Sequence, residues 1–312
     1  MMAAGVTAEA SALMKRAQNV RGRSLWVDAW RRLLRNRAAV ASIVILAAIA
    51  VVAIVAPILS PYAYDAVDYN QISCAPAWWP DSAALCHAGP GHWLGTDSIG
   101  RDLFVRILYG ARVSLAVGLV ATLVSLVIGV AYGAAAGYVG GRIDALMMRL
   151  VDILYSLPFI FFVIILMVVF HRNFYLLFVA IGAVEWLTMA RIVRGQTLSI
   201  KQKEFVEAAR ASGVGGLGIV VRHVVPNVIG PVIVYVTLTI PAVILSESFL
   251  SFLGLGIQEP LTSWGVLIAD GTNQMETAPW LLIFPAAFMA VTLFCFNFIG
   301  DGLRDALDPK DR

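Results

Sequence analysis

The chain has 312 residues, of which 60% are hydrophobic and only 14% are charged. About a quarter of the residues in a soluble globular domain are charged, so this composition excludes a large soluble core. Apolar runs of about 20 residues are typical of membrane-spanning helices, and the sequence lacks the alternating segments of about ten residues that form a membrane β-barrel. The net charge of +3 is small, so the positions of the basic residues are more informative than their total.

The first apolar run, residues 38–59, predicts a retained membrane span and not a cleaved signal peptide. It is longer than the roughly 7–15 residues of a signal-peptide core, and 37 residues precede it. Just before it, Trp26 and Trp30 recur at helical spacing, with Arg31 and Arg35 off that stripe. This pattern predicts either a helix in the inner membrane interface, with its arginines toward anionic lipid, or a basic flank that only orients the first span.

Basic residues assign a direction to six predicted spans. The polar segments form two alternating sets: one holds eight, two, six and three Lys and Arg in chain order, and the other holds three, one and none. Because cytoplasmic loops are enriched in Lys and Arg, the first set, which includes both termini, is predicted to be cytoplasmic. The predicted spans are residues 38–59, 113–138, 150–170, 174–191, 225–250 and 280–299.

The sequence therefore predicts one all-α membrane protein with no soluble domain large enough to fold alone. Its predicted parts follow from the spans and loops. They are a cytoplasmic N-terminal tail with an interfacial amphipathic helix (1–37), the first transmembrane helix (38–59), an external loop (60–112), a five-helix core (113–300) that includes a cytoplasmic loop (192–224), and a cytoplasmic C-terminal tail (301–312).

The predicted external loop contains Cys74 and Cys86, the only cysteines outside the apolar spans. An oxidising exterior favours a disulfide between them, which would stabilise the fold by about 3 kcal/mol through loop entropy. Two nearby histidines, His87 and His92, raise the alternative of a zinc site. The paired CxxC spacing of structural zinc sites is missing, so no metal is expected.

The end of the same loop predicts a helix on the outer membrane surface. Asp97 and Ser98 are suitable N-cap residues for a helix beginning there. Such a helix would carry Leu103 and Ile107 on one face and Arg101 on the other. The expectation is an amphipathic segment whose apolar face lies on the bilayer.

Ionisable side chains within the predicted spans are candidates for function, because a charge inside the bilayer is costly. Asp152 is expected to pair with Arg149, one turn earlier. Glu185, beside Trp186, lies inside the fourth span, and Glu247 lies near the outer end of the fifth, where it could be interfacial. Two roles stay open for these residues: a hydrogen bond between helices, or a place along a substrate path.

A polar stretch at residues 204–227 interrupts the apolar second half of the chain with the sequence EFVEAARASGVGGLGIVVRHVVPN. It resembles the EAA loop of ABC-importer permease subunits, whose pattern is EAA, three residues, Gly, nine residues, Ile, one residue and Leu-Pro. His223 stands where the family often has Ile, Val225 stands where it often has Leu, and Asn227 follows the proline. The residues that match in register are Glu207, Ala208, Ala209, Gly213 and Pro226.

The resemblance covers nearly the whole chain and narrows to peptide importers. Three further stretches resemble the C-type permease subunits of oligopeptide and dipeptide transporters: LGTDSIGRD at 94–102, SFLGLGIQEP at 251–260 and GDGLRDALDP at 300–309. The N-terminal segment, RSLWVDAWRRLLRNRAAVAS at 23–42, is most similar to the oligopeptide-permease C-type inner-membrane subunits.

This resemblance implies a type I ABC-importer permease fold in a bacterial inner membrane. It implies a heterodimer with a homologous second permease, two cytoplasmic ATP-binding subunits, an external peptide-binding protein, membrane lipids around the helices, and a peptide as the solute. It implies that the partner subunits use ATP and Mg, that this chain binds no cofactor, and that no nucleic acid is involved. The residues implied to couple to the ATPase are Glu207, Ala208, Ala209, Gly213, His223, Pro226 and Asn227.

The lysines of the chain agree with this division of labour. None of the four stands in the Gly-Lys-Ser/Thr setting of a phosphate-binding loop. The chain is therefore expected to have no ATPase site of its own and to take its energy from a partner. Closure of the ATPase pair would push one such loop in each permease and tilt the spans, which is alternating access by rigid-body motion.

Two alternatives to an oligopeptide importer stay open. A permease of the same family could carry dipeptides, nickel or another small solute. A standalone secondary transporter driven by protons through Glu185 is the alternative from another class, although the sequence has no detectable inverted repeat of three-span halves.

Overall fold

The computed structural model describes residues 25–80, 86, 88–89, 91–170 and 174–307, and these are helical apart from turns and irregular loops. Most of the predicted N-terminal tail, His87, and residues 308–312 lie outside the described residues. The helices are α1 (Leu25–Arg35), α2 (Arg37–Leu59), α3 (Leu103–Val139), α4 (Gly141–Ser156), α5 (Phe159–Val169), α6 (Phe174–Ile200), α7 (Glu204–Ala211), α8 (Gly216–Ile219), α9 (Val225–Phe252), α10 (Trp264–Thr272) and α11 (Trp280–Leu307).

Within the described part of the chain, four helical segments are long and apolar enough to cross a membrane. They are Arg37–Val55, Leu103–Val139, Gly216–Phe252 and Trp280–Leu307. A fifth results if α4 and α5, which meet at a bend of 85°, count as one broken span. The all-α membrane class is thereby confirmed, whereas the span predicted at residues 174–191 and the cytoplasmic position of both termini stay predictions.

The span predicted at 150–170 is not one straight helix. α4 ends at Ser156, Leu157 is extended, and Pro158 precedes α5. Proline lacks a backbone N–H and disfavours helical geometry in the residue before it, which accounts for the break at this position. The residues between Gly140 and the predicted start of this span at residue 150 are also helical, because α4 already begins at Gly141.

The longest helix contact joins α3 to α6 through a row of glycines. Gly129, Gly133 and Gly137 recur every four residues and therefore share one face of α3. A Cβ on Gly129 would lie 2.5 Å from Cγ of Met189, and a Cβ on Gly137 would lie 2.8 Å from Cβ of Thr197. Only glycine lets the two backbones come this close, as in small-residue packing of membrane helices.

On the predicted external side, Cys74 and Cys86 are joined by a disulfide with their Cα atoms 4.6 Å apart. No cluster of three or more metal-ligating side chains occurs among the described residues. The predicted surface helix after Asp97 and Ser98 is wrong: α3 begins at Leu103 and runs on without interruption into the span. The N-cap is Asp102, whose side chain accepts a hydrogen bond from the Val105 N–H at 2.7 Å.

The residues predicted to face the outer membrane surface are instead buried. Leu103 and Ile107 belong to a core that also contains Trp264 and Trp280. Arg101 is 5% exposed and donates to Asp97 and to Glu259, at 2.6 and 2.9 Å. Tertiary ion pairs thus hold this arginine inside, where the helical periodicity alone placed it in water.

The last span also differs from its prediction. α11 continues through residues 301–307, which were assigned to a tail, and packs there on α1 and the start of α2. α10, which the sequence did not predict, folds back after α9 and packs against the first half of α11. These two helices and the start of α3 close the predicted external side of the molecule.

Candidate functional site

Helix α7 (Glu204–Ala211) contains the first part of the predicted coupling motif. Glu204 and Glu207 occupy its first turn, where negative charge stabilises the positive end of the helix dipole, and Arg210 lies in the last turn. The helix ends at Ala211, and Gly213, two residues later, has a φ of +82°, a left-handed conformation that favours glycine. The N–H of Gly213 donates to the Arg210 carbonyl at 3.0 Å and thereby closes the last turn.

Most of the predicted coupling residues on α7 are free to contact a partner. Glu207, Ala208 and Gly213 are exposed, and Ala209 is half-buried. A Cβ placed on Gly213 would have no atom within 4 Å. The exposed face therefore combines one carboxylate with small residues, so another protein can approach its backbone closely.

A single apolar side chain anchors α7 to the body of the protein. Val206 is completely buried, in a cluster with Ile200 at the end of α6 and with Ile219 and Val224 beyond the loop. This arrangement leaves the motif on the surface and links its position to two long helices. A displacement of α7 would consequently be transmitted to both α6 and α9.

The second part of the motif lies where α8 joins α9. His223 is half-buried. Its backbone carbonyl accepts a hydrogen bond from the side-chain amide of Asn227 at 2.6 Å. The His223 ring lies 6.4 Å from the Phe205 ring of α7, between the ring centroids. Pro226 is exposed on the first turn of α9. The structure thus brings both parts of the motif to one side of the molecule.

The connection from α8 to α9 is a π-helical turn, Val220–Val224, which the sequence did not predict. Such turns insert one residue into a helix and are frequent at functional sites. The turn contains His223, so the segment after α7 enters the span through an irregular backbone. Pro226, which cannot donate a backbone hydrogen bond, was the one signal in the sequence for irregularity here.

Ion pairs near the start of α4 fix the helices that lead into α7. Asp144 accepts two hydrogen bonds from Arg194 of α6, at 2.6 and 2.7 Å. Lys201, which follows α6, donates to the backbone carbonyl of Tyr138 on α3 at 2.6 Å. The predicted pair of Asp152 with Arg149 is not formed. Asp152 bonds instead with Arg191, at 2.8 Å.

The residues predicted for a substrate path do not meet in one place. Glu185 is half-buried on α6, and the neighbouring Trp186 is buried with its ring edge-on to Tyr132, 5.0 Å between centroids. Glu185 interacts electrostatically with Tyr235 of α9. Tyr235 and Glu247 are twelve residues apart on that helix, which is about 18 Å at 1.5 Å per residue.

Glu247 is completely buried by neighbouring segments of the protein, and its depth in the membrane stays a prediction. Its Oε1 accepts hydrogen bonds from the hydroxyls of Ser251 and Ser263, both at 2.7 Å. Its Oε2 has no partner among the described residues. Ser263 also caps α10, so Glu247 ties the end of α9 to the start of the next helix.

An apolar groove of about 840 Å³ lies between α3 and the continuous segment formed by α8, the π turn and α9. Its walls include Val130 and Ala134 on α3 and Val221 and Val228 opposite. The groove therefore adjoins the coupling segment and lies along two of the helices that are long enough to span a membrane.

Two family models match the chain. The model described as "Binding-protein-dependent transport system inner membrane component" matches residues 125–312. The model described as "N-terminal TM domain of oligopeptide transport permease C" matches residues 24–76. The first match contains α7 and the whole predicted coupling motif.

The chain is also similar to curated bacterial proteins over nearly its full length. It is 63% identical to the oligopeptide transport system permease protein OppC of Escherichia coli strain K12, over 94% of each chain. It is 57% identical to OppC of Haemophilus influenzae, over 93% of this chain and 90% of that one. It is 46% identical to the dipeptide transport system permease protein DppC of Bacillus subtilis, over 91% and 86%.

Among solved structures, the fold is similar to a chain of the MetNI methionine ABC transporter in inward-facing conformations. The TM-score is 0.55 at 20% sequence identity, and the alignment covers 66% of this chain and 96% of that one. At this identity the similarity establishes a shared permease fold.

Proposed function

The chain belongs to the family of binding-protein-dependent transport system inner membrane components, and we propose that it forms one half of the translocation path of an ATP-driven oligopeptide importer. It is a permease subunit without an ATPase site of its own. The oligopeptide solute is supported by relatives named for oligopeptide transport at 63% and 57% identity and by the match of the N-terminal residues 24–76.

One structural observation carries the proposal that α7 receives the motion of an ATPase. Glu207, Ala208 and Gly213 are exposed on a short helix that is held by one buried residue, Val206, between two long helices. An exposed helix with small residues fits into a groove of another protein, as amphipathic helices do. Its attachment to α6 and α9 lets a push on the helix tilt the spans.

The proposed assembly has four further parts. A homologous second permease completes the path, two ATP-binding subunits that use ATP and Mg hold the coupling helices, and an external binding protein delivers the peptide. We place the complex in a bacterial inner membrane, with six spans and both termini of this chain in the cytoplasm. The basic-residue distribution supports this orientation, because most Lys and Arg lie in the set of alternating segments that includes both termini and the coupling loop.

Within the path, Glu185 and Trp186 are the candidates for contact with the solute. Glu185 is half-buried in a helix that packs against both α3 and α9, and Trp186 provides an aromatic surface beside it. Glu247 is a positioning residue in this proposal, because both of its hydrogen bonds hold neighbouring segments together.

A smaller solute is the second candidate. The relative named for dipeptide transport is 46% identical over 91% of the chain, so the same subunit architecture is used for shorter peptides. Uptake of radiolabelled dipeptides and longer peptides by cells carrying the complete transporter separates the two candidates. Preference for peptides of three or more residues supports the oligopeptide proposal, and exclusive uptake of dipeptides refutes it.

The coupling proposal is tested by charge-changing substitutions on α7 and at the glycine turn that follows it. We expect Glu207→Lys and Gly213→Asp to lower peptide uptake and peptide-stimulated ATPase activity at least tenfold, while the chain still inserts in the membrane. Glu276→Lys, an equal charge change at an exposed position on the other side of the protein, is the matched control. Wild-type uptake in both α7 variants would refute the proposal.

A further inference from the structure

Helix α1 (Leu25–Arg35) is fixed at the end of the first apolar span. A single residue, Asn36, separates it from α2, and the Asn36 side chain accepts hydrogen bonds from the N–H groups of Ala38 and Ala39 at 3.1 and 3.2 Å. These bonds cap α2 and set the direction in which α1 leaves it. α1 therefore lies at the membrane boundary and not at the end of a free tail.

The last turns of α11 hold the other side of α1. Ala29 and Leu33 are buried against Ala306. The facing residue on α11 is Gly302, where a Cβ would lie 3.2 Å from Cδ1 of Leu33 on α1 and 2.6 Å from Cβ of Ala39 on α2. Ala29 and Leu33, four residues apart on α1, thus face the protein.

A second apolar stripe on α1 is about half exposed. Trp26, Trp30 and Leu34 are spaced four residues apart and are 52%, 58% and 52% exposed. At 100° per residue this stripe lies directly beside the buried one, so the apolar half of α1 is shared between α11 and the surroundings.

The opposite half of the helix is basic. Arg31 and Arg35 are exposed, one turn apart, and Arg37 is exposed at the start of α2. The acidic side chains nearby are Asp28, which is half-buried, and Asp301 and Asp305, which are exposed near the end of α11. Arginines border the Trp and Leu stripe on its outer side, since Arg31 follows Leu34 around the helix by about 60°.

We propose that the exposed half of α1 is a binding surface for an acidic phospholipid, with acyl chains against Trp26, Trp30 and Leu34 and the headgroup at Arg31 and Arg35. On α2, which α1 directly precedes, Val44 and Ile45 are exposed on an apolar span. A helix tied to the span and carrying tryptophans beside arginines has the chemistry of an interfacial lipid contact. A protein partner would have to bind at the bilayer surface and displace lipid from the same stripe.

The test measures lipid retained by the full-length purified chain in detergent. Native mass spectrometry is carried out with added dioleoyl phosphatidylglycerol or dioleoyl phosphatidylcholine. We expect tighter retention of phosphatidylglycerol, and a loss of about 25-fold in its affinity in the double variant Arg31→Gln/Arg35→Gln, a factor of about five for each arginine. The variant keeps Ala29 and Leu33, so its unfolding temperature should match wild type.

The matched control is Arg142→Gln/Arg149→Gln, which removes two exposed arginines from α4. Phosphatidylglycerol affinity within threefold of wild type is expected in this control. Equal losses in both double variants would overturn the assignment of the site to α1, because general charge would then explain binding. Equal retention of the two lipids by wild type would also overturn it, and would leave a protein partner as the occupant of the stripe.

A second variant separates the apolar half from the basic half. Trp26→Ser/Trp30→Ser should lower retention of both lipids without changing their ratio, since it removes acyl contacts and keeps the arginines. Unchanged retention in this variant would contradict the proposed orientation of the lipid.

Discussion

Asp144 of α4 accepts two hydrogen bonds from the guanidinium of Arg194 on α6, at 2.6 Å from Nε and 2.7 Å from Nη2. Paired, planar contacts of this kind are among the strongest that proteins form, because both donor and acceptor are charged and their geometries match. The pair ties α4 to the helix that leads into α7. It therefore fixes the base from which the coupling helix projects.

Removal of this pair should destabilise the protein measurably. The Asp144 side chain is 9% exposed and that of Arg194 is 35% exposed. Asp144→Asn is therefore expected to lower the free energy of unfolding by about 1–2 kcal/mol, which is less than the loss of a fully buried pair would cost. Thermal unfolding of the purified chain should show a midpoint lower by about 2–6 °C. Asp152→Asn is the control: its pair with Arg191 is 63% and 39% exposed, and a shift below about 2 °C is expected. Equal shifts would contradict the distinction.

The glycine row between α3 and α6 predicts a contrast between two Gly→Ala substitutions. A Cβ on Gly133 would lie 2.9 Å from Cβ of Val193 and closer still to the Ala190 carbonyl, so the helices must separate. Gly133→Ala should cost about 1–3 kcal/mol. Gly195→Ala, on α6, meets no atom within 4 Å and should be neutral or stabilising by up to about 1 kcal/mol. Denaturation in detergent checks both, and a stable Gly133→Ala protein would disprove the close packing.

At Gly213 the backbone conformation, and not the available space, predicts the effect of substitution. With φ at +82° and no atom near an added Cβ, Gly213→Ala should cost about 1–2 kcal/mol of local stability. Gly213→Asn should cost less, because asparagine tolerates the left-handed region. Peptide uptake should decrease in the order Gly, Asn, Ala at position 213. Gly230→Ala on α9 is the control, because an added Cβ there has no atom within 4 Å. Equal uptake in the Asn and Ala variants would rule out this conformational account.

Two substitutions of the buried Glu247 distinguish a positioning role for this residue from a role in proton transfer. Glu247→Gln retains the Oε1 acceptor for Ser251 and Ser263, so near-normal uptake and stability are expected. Glu247→Ala leaves both hydroxyls without their acceptor and opens a cavity, and it should cost about 2–4 kcal/mol. Uptake by membrane vesicles and thermal unfolding are the two measurements. Loss of transport in a well-folded Glu247→Gln protein would point to proton transfer instead.

The sequence predicted the spans well where apolar runs are uninterrupted. The first span was predicted at 38–59 and α2 covers Arg37–Leu59, because a long apolar run has no other stable conformation in a bilayer. The polar stretch at 204–227, which the family pattern singled out, contains α7 (Glu204–Ala211). The disulfide between Cys74 and Cys86 is the pairing that the sequence favoured.

Tertiary partners explain the features that the sequence did not predict. Arg101 was placed in water by periodicity, yet Asp97 and Glu259, 158 residues away, hold it inside. Asp152 was paired with its neighbour in sequence, whereas Arg191 comes from another helix. Local spacing contains no information about such distant partners. The π turn at Val220–Val224 likewise has tertiary neighbours, because Ile219 and Val224 belong to the same buried cluster as Val206.

Contact between α7 and an ATP-binding subunit is the central claim, and site-directed cross-linking tests it most directly. The chain has three cysteines, of which Cys74 and Cys86 are bonded and Cys295 is buried, so an added thiol is the main reactive one. In the assembled transporter, Ala208→Cys should form a short thiol cross-link to an ATP-binding subunit. Asp301→Cys, exposed near the end of α11, should not. Absence of a cross-link at Ala208, with the complex intact, would contradict the account.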